Sequence, residues 1–374
     1  LEMASSATSD EADDDLKEKL TQDLIRTGLL GIFAPVIVNI VKNINDYQSS
    51  TLRASALLAL CKYMCVSSKF CGEHLHLLFV ALSKQEDSVL RGNIVIAVGD
   101  LAFRFPNLLA PWTSRLFKSL EDEDHRVRKN SLMVLTHLIL NDMVKVKGHI
   151  SNIALCMEDK DPKISDLSHL FFRELAQKGN TVYNVLPDMI SNLTNTNVPE
   201  TVFQKIMRLL FSFVQNERQK ESLVDKLCHR FPAAKEAHEY RNLAYCLSLL
   251  DFSDRTMKKL IDLFHLYKDK LTDQVVNSYF QKIITKTKKG AKAETRATID
   301  SFEETVENGG ERVVKDDDGE MKIDEHEEEK TLPAKGKKKT VNKRKSTRVS
   351  SISNYNLLSS TSLLGERINL QSVC

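Results

Sequence analysis

The apolar positions of this chain carry two rhythms at once. Within residues 87–148 the short one is helical: Leu90, Ala97 and Leu101 follow at seven and then four residues, the spacing of one helix face. The long one is a repeat. Val127, Val134 and Leu138 restate that face 37 residues later, and Ile164, Phe171 and Leu175 restate it 37 residues after that. A shift of 38 in the other direction places Leu52, Ala59 and Tyr63 in the same columns. Asp87, Asp124 and Asp161 open the three later segments at the same 37-residue interval, each where a short acidic side chain can cap a helix.

Further apolar runs at 75–82, 108–120 and 150–157 lie between these helices, so one period holds a pair. Neither helix of a pair can bury its stripe alone, whereas stacked pairs share a continuous core. The spacing predicts pairs at 31–45 with 50–66, 71–84 with 87–105, 108–120 with 124–141, 148–157 with 161–177, and 182–193 with 199–215. Pro199 follows Pro162 by 37, and both fall where a first helical turn tolerates proline. Between 220 and 288 the strict interval fades while helical periodicity persists, which reads as two more, degenerate pairs. The expected fold is therefore all-α, a HEAT- or armadillo-like α-solenoid of about seven helix pairs.

Charge divides the rest. Residues 1–20 read as a disordered acidic lead-in, 21–288 as the solenoid, and 289–374 as a disordered tail that is first acidic and then basic. The net charge of +2 hides these excursions. Seven cysteines scattered through apolar helical segments fit a reducing compartment better than a disulfide framework. Charges interrupt every apolar run before the roughly 18 residues a membrane span needs, and the polar, acidic opening is no secretory signal. The first residue is not methionine, so the chain is expected to be part of a longer solenoid.

Little in the chain suggests catalysis. Cys61, Cys65, Cys71 and His74 could be drawn together as a zinc site, but Cys61 and Cys65 stand one helical turn apart and fit a packed helix better. His137 lies in a strong helical segment with no nucleophile elbow nearby, and is expected to be satisfied within the bundle. No phosphate-cradling GxxxxGK[ST] or GxGxxG occurs. No catalytic residue, cofactor or metal is expected.

The charged positions are more suggestive. Asp87 with Arg91, and Asp124 with Arg128, are acid-to-base pairs four residues apart that would register neighbouring repeats. Arg126, Arg128, Lys129, Lys145 and Lys147 recur near repeat boundaries, where a row of cations could neutralise nucleic-acid phosphates without reading sequence. In the connection DMVKVKG, Met143, Val144 and Val146 interleave with lysines, either folding back on the core or docking a partner. Lys335, Lys337, Lys338, Lys339, Lys343, Arg344 and Lys345 form two basic clusters suited to nuclear import. Ser346 and Ser350 follow arginines by two residues, as basophilic kinases prefer, and no proline follows Ser or Thr.

Three blocks, RGNIVIAVGDLAFRFPNLLAPWTSRLF, VRKNSLMVLTHLILNDMVKVKGHI and LFFRELAQKGNTVYNVLPDMISNL, resemble the HEAT-repeat regulatory subunits of condensin. The resemblance spans about residues 28–288, and the DMVKVKG form is similar to condensin I rather than condensin II. It implies membership of a complex with two SMC ATPases, a kleisin and a second HEAT subunit that compacts mitotic chromosomes. ATP hydrolysis would belong to the SMC heads. This chain would bind the kleisin, touch an SMC head and help to hold DNA or chromatin without sequence preference. It would act in the nucleus and on mitotic chromosomes, with a cytoplasmic pool and no membrane partner. The alternative is a HEAT-repeat nuclear transport receptor or adaptor.

Overall fold

The computed structural model describes residues 28–144, 148–196, 198–290 and 293–307, all within one compact unit. Among these residues every regular element is helical. The first pair is α1 (Leu29–Lys42) with α2 (Ser50–Val66), and the second α3 (Ser68–Lys84) with α4 (Ser88–Arg104). In the third, the short α5 (Pro106–Leu109) and α6 (Thr113–Lys118) precede α7 (His125–Leu140). The fourth joins α8 (Ile150–Leu155) to α9 (Pro162–Gln177), and the fifth α10 (Thr181–Asn195) to α11 (Glu200–Ser212). Then come α12 (Glu217–Cys228) with α13 (Ala237–Ser248), and α14 (Asp254–Asp262) with α15 (Gln274–Lys288). A last helix, α16 (Ala293–Glu307), follows. The fold is the all-α repeat array that the periodicity predicts.

The second helices of the second, third and fourth pairs start where a short polar side chain takes up a free amide. Asp87 accepts from the Val89 N–H at 2.8 Å, Asp124 from Arg126 at 2.8 Å and Asp161 from Lys163 at 2.9 Å. Such caps contribute about 1 kcal/mol each. Behind them the columns Leu90, Val127, Ile164 and Leu101, Leu138, Leu175 are buried. The middle column is less uniform: Phe171 is buried while Ala97 and Val134 are half-buried. Upstream, Leu52 is exposed, because the buried face of α2 begins at Ala56. Helices α4 and α7 approach closely, since a Cβ at Gly99 would lie 2.7 Å from Val134 Cγ1.

The disordered tail expected from residue 289 is corrected for 293–307. Ile299, Phe302 and Val306 fall on one helical face and are buried, with the Phe302 ring edge-on to Phe264 at 6.0 Å. The Asn277 side chain donates to the Val306 carbonyl at 2.7 Å. Lys288 joins α15 to Asp300 and Glu303 of α16. The lead-in at residues 1–20 lies outside the described residues.

Candidate partner-binding edge

The turns that lead into α4, α7 and α9 carry the charged residues that the repeat pattern singles out. Arg91, in the first turn of α4, reaches forward across one period: its Nε and Nη2 donate to the two carboxylate oxygens of Asp122, both at 2.8 Å. Its Nη1 donates to the carbonyls of Gln85 at 3.0 Å and Glu86 at 2.8 Å. Arg128 repeats the arrangement one period on. It holds Asp159 at 2.7 and 2.9 Å and the carbonyls of Asp122 and Glu123 at 2.9 and 3.0 Å. Each aspartate also accepts the backbone N–H of the helix cap two residues later, Asp124 at 2.9 Å and Asp161 at 2.8 Å. A guanidinium is planar and forked, which is why arginine alone can serve a carboxylate and two carbonyls together.

These rungs correct the pairing expected from spacing. Arg91 does not bond the Asp87 side chain, nor Arg128 that of Asp124, because both carboxylates are turned into their own helix starts as caps. The residues that the local pattern missed are Asp122 and Asp159. Their signal was present, since they stand 37 apart, two residues before a cap, in the same interval as the arginines. Arg128 holds the Asp159 carboxyl below the usual carboxylate range. A related rung joins Arg241 to Asp273, the cap of α15, at 2.6 Å, and it likewise lowers that carboxyl.

The column is interrupted twice. One period before Arg91 stands Arg53, and one period before Asp122 stands Gln85, an amide in place of a carboxylate. Arg53 Nε and Gln85 Nε2 are buried donors without a hydrogen-bond partner among the described residues. One period after Arg128 the position is Ser165, whose hydroxyl donates to the Met157 carbonyl.

The cationic row is not assembled as expected. Arg128 is 15% exposed and fully engaged, which removes it from any phosphate-contacting set. Arg126 is exposed, yet its guanidinium is held by Asp124 at 2.8 Å and donates to Ser88 Oγ of the preceding pair at 2.9 Å. With Ser88, it also depresses the Asp124 carboxyl strongly. Lys129 is half-buried, while Lys145 and Lys147 lie outside the described residues. Of the DMVKVKG segment, Met143 and Val144 pack back on the core, and Val146 lies outside the described residues. The fold-back follows from how α7 ends. Asp142 adopts a left-handed φ of 58°, its N–H bonds the Ile139 carbonyl, and the Met143 N–H bonds that of Leu138.

Cys61 and Cys71 are buried and Cys65 is half-buried. Desolvation raises all three thiols, that of Cys71 to about 12, and the described residues hold no grouping of three metal ligands. His137 is exposed rather than enclosed, and lies beside the Phe103 ring at 6.1 Å. The basic clusters Lys335, Lys337, Lys338, Lys339, Lys343, Arg344 and Lys345, and the serines Ser346 and Ser350, all lie outside the described residues. Taken together, the rungs can lock adjacent helix pairs.

Residues 89–248 match the family described as non-SMC mitotic condensation complex subunit 1. The chain is 46% identical to condensin complex subunit 1 of Xenopus laevis over 301 residues, covering 78% of this chain and 22% of that protein. It is 41% identical to the Homo sapiens protein of the same name, covering 80% of this chain and 22% of that one. Condensin-2 complex subunit D3 of Mus musculus is 27% identical over 35% of this chain and 9% of its own length. The chain thus spans about a fifth of the subunit 1 relatives it matches. Among solved structures, that of a Pds5–Scc1 complex is similar with a TM-score of 0.38 at 15% identity, covering 78% of this chain and 46% of that one.

Proposed function

From the premise that the chain belongs to the condensin complex subunit 1 family, we propose that it is a non-catalytic scaffold segment within condensin, helping to compact mitotic chromosomes. In this reading it grips a kleisin segment, touches an SMC head and assists in holding DNA, while ATP hydrolysis belongs to the SMC subunits. The observation that carries the reading is the arginine ladder on a repeat array of this family: half-buried rungs tie successive helix pairs together. A surface fixed in this way can hold a flexible partner, because many small contacts along it offset the partner's ordering entropy.

Nuclear and chromosomal residence, with a cytoplasmic pool and import through residues 335–345, is part of the same proposal. Affinity purification of the tagged chain from mitotic cells tests it. Recovery of SMC and kleisin subunits in stoichiometric amount is the expected result. Recovery of Ran or nucleoporins in their place would replace it with a transport role.

A further inference from the structure

Large apolar side chains lie open on the second helices at related places. Val89 and Phe103 of α4 and Leu170 of α9 are each about half exposed, and Val66, the last residue of α2, is 36% exposed. Val89, Ile96 and Phe103 are spaced by seven along α4, and Leu170 stands two periods after Ile96. They therefore follow the side of the helix turned away from the buried columns. A solvated helix face is ordinarily polar.

This apolar surface borders a cavity where α2 and α4 end. The cavity, of about 620 Å³, is lined by Lys69 and Gly72 of α3, by Arg104, and by the Phe105–Leu108 turn. The ends of α2 and α4 adjoin, since Cys65 feels the charges of both Asp100 and Arg104. Beyond Phe103, the surface continues onto α7 through His137. Lys69 and Arg104 form no ion pair among the described residues, and the Arg104 guanidinium rests over the Phe105 ring at 5.7 Å. Two cations thus line this open cavity against one acid, Glu73, and the exposed Val66 and Phe103 stand three residues before Lys69 and one before Arg104.

We propose that the surface made by Val66, Phe103, Lys69 and Arg104 docks an extended acidic and apolar segment of another subunit. The segment lays an apolar side chain on Val66 and Phe103 and directs a carboxylate to Lys69 and Arg104. Packed helices stand about 8–10 Å apart, and an extended chain advances about 3.3 Å per residue. Its anchors therefore fall about three residues apart as it crosses from α2 to α4 to α7. This rests on the condensin reading above and specifies one contact within it.

The test is photo-crosslinking from p-benzoylphenylalanine placed at Phe103 in the reconstituted complex, with the same probe at Val80, an exposed α3 residue, as control. Crosslinks from position 103 but not 80 to an acidic and apolar stretch of another subunit are expected. That stretch, made as a fluorescein-labelled peptide, should bind the chain at least tenfold more weakly when it carries Phe103→Glu and Arg104→Glu, with Tm unchanged. Crosslinks to residues 308–374 of this chain, to a second copy or to DNA would overturn the proposal, as would none at all or unaltered peptide affinity. If the complex assembles normally in those cases, the condensin reading stands and only the docking surface falls. Failure of the wild-type chain to assemble removes both.

Discussion

Replacing Arg128 by methionine and Asp159 by asparagine, singly and together, isolates the energy that ties α7 to the turn before α9. The pair is bidentate, at 2.7 and 2.9 Å, with side chains only 15% and 10% exposed. Hydrogen bonds to charged groups contribute about 1.5–3 kcal/mol each, whereas a fully exposed ion pair contributes about 0.2–1. Two such bonds, discounted for residual solvent, give a coupling of about 2 kcal/mol. Each single change should cost about 3 kcal/mol, because the partner left behind is an uncompensated charge; Arg128→Met also strips the carbonyls of Asp122 and Glu123 of their donor. Urea unfolding followed by circular dichroism reads the cycle, with hydrogen exchange in α7 and α9 reporting opening of that joint alone. Arg126→Ala is the control: its partner is also an aspartate, but its side chain is exposed and the cost should be small beside that of Arg128→Met. A coupling below about 0.5 kcal/mol, or an Arg126→Ala cost equal to that of Arg128→Met, would refute the ladder.

Gln85→Glu supplies the missing carboxylate of the preceding rung. If Arg53 Nε and Gln85 Nε2 are the two halves of that rung, stability at pH 7 should rise by about 1 kcal/mol, and an unchanged or lower Tm in a thermal melt would show that they are not. Gly99→Ala should lose about 1–3 kcal/mol in urea unfolding, because the added methyl meets Val134 on a packed helix, and a neutral result would mean that α7 can retreat freely. The Asp159 and Asp273 carboxyls bind protons less readily folded than unfolded. Their contribution is therefore complete above the unfolded value of about 4 and is lost as pH falls through the lower folded values. Acid unfolding of Asp159→Asn should accordingly show a shallower slope below pH 4 than the wild type, and parallel curves would contradict the assignment.

Much of the architecture was legible because a repeat writes its core several times. Leu90, Val127 and Ile164 carry the same instruction, so no single substitution obscures it. The exceptions are informative. Leu52 obeys the column but is exposed, because periodicity records which face is apolar and not whether a neighbour covers it. The helix at 293–307 escaped notice because Glu303, Glu304 and Glu307 dominate the segment, although Ile299, Phe302 and Val306 supply a sufficient stripe.

The charged edge was harder to read. Spacing of four residues within a helix suggested Asp87 with Arg91, yet a cap carboxylate is already committed to backbone amides. The true partner is 31 residues away and visible only when the acids, like the arginines, are compared across periods. Arg128, expected to face a phosphate, is consumed in the same way.

The interruption at Ser165 has a mechanical meaning. Where arginine rungs occur, two neighbouring pairs can part only by breaking charged bonds shielded from water. Past α9 the polar ties to the next pair are Lys205 to Glu158 at 2.6 Å, with the lysine 61% exposed, and an exposed bond from the Asn192 side chain to the Gly148 carbonyl at 3.3 Å. Pulled along its length, the chain should therefore give at that junction, where exposed ties supplement the shared apolar core, before the arginine-bolted segment ahead of it.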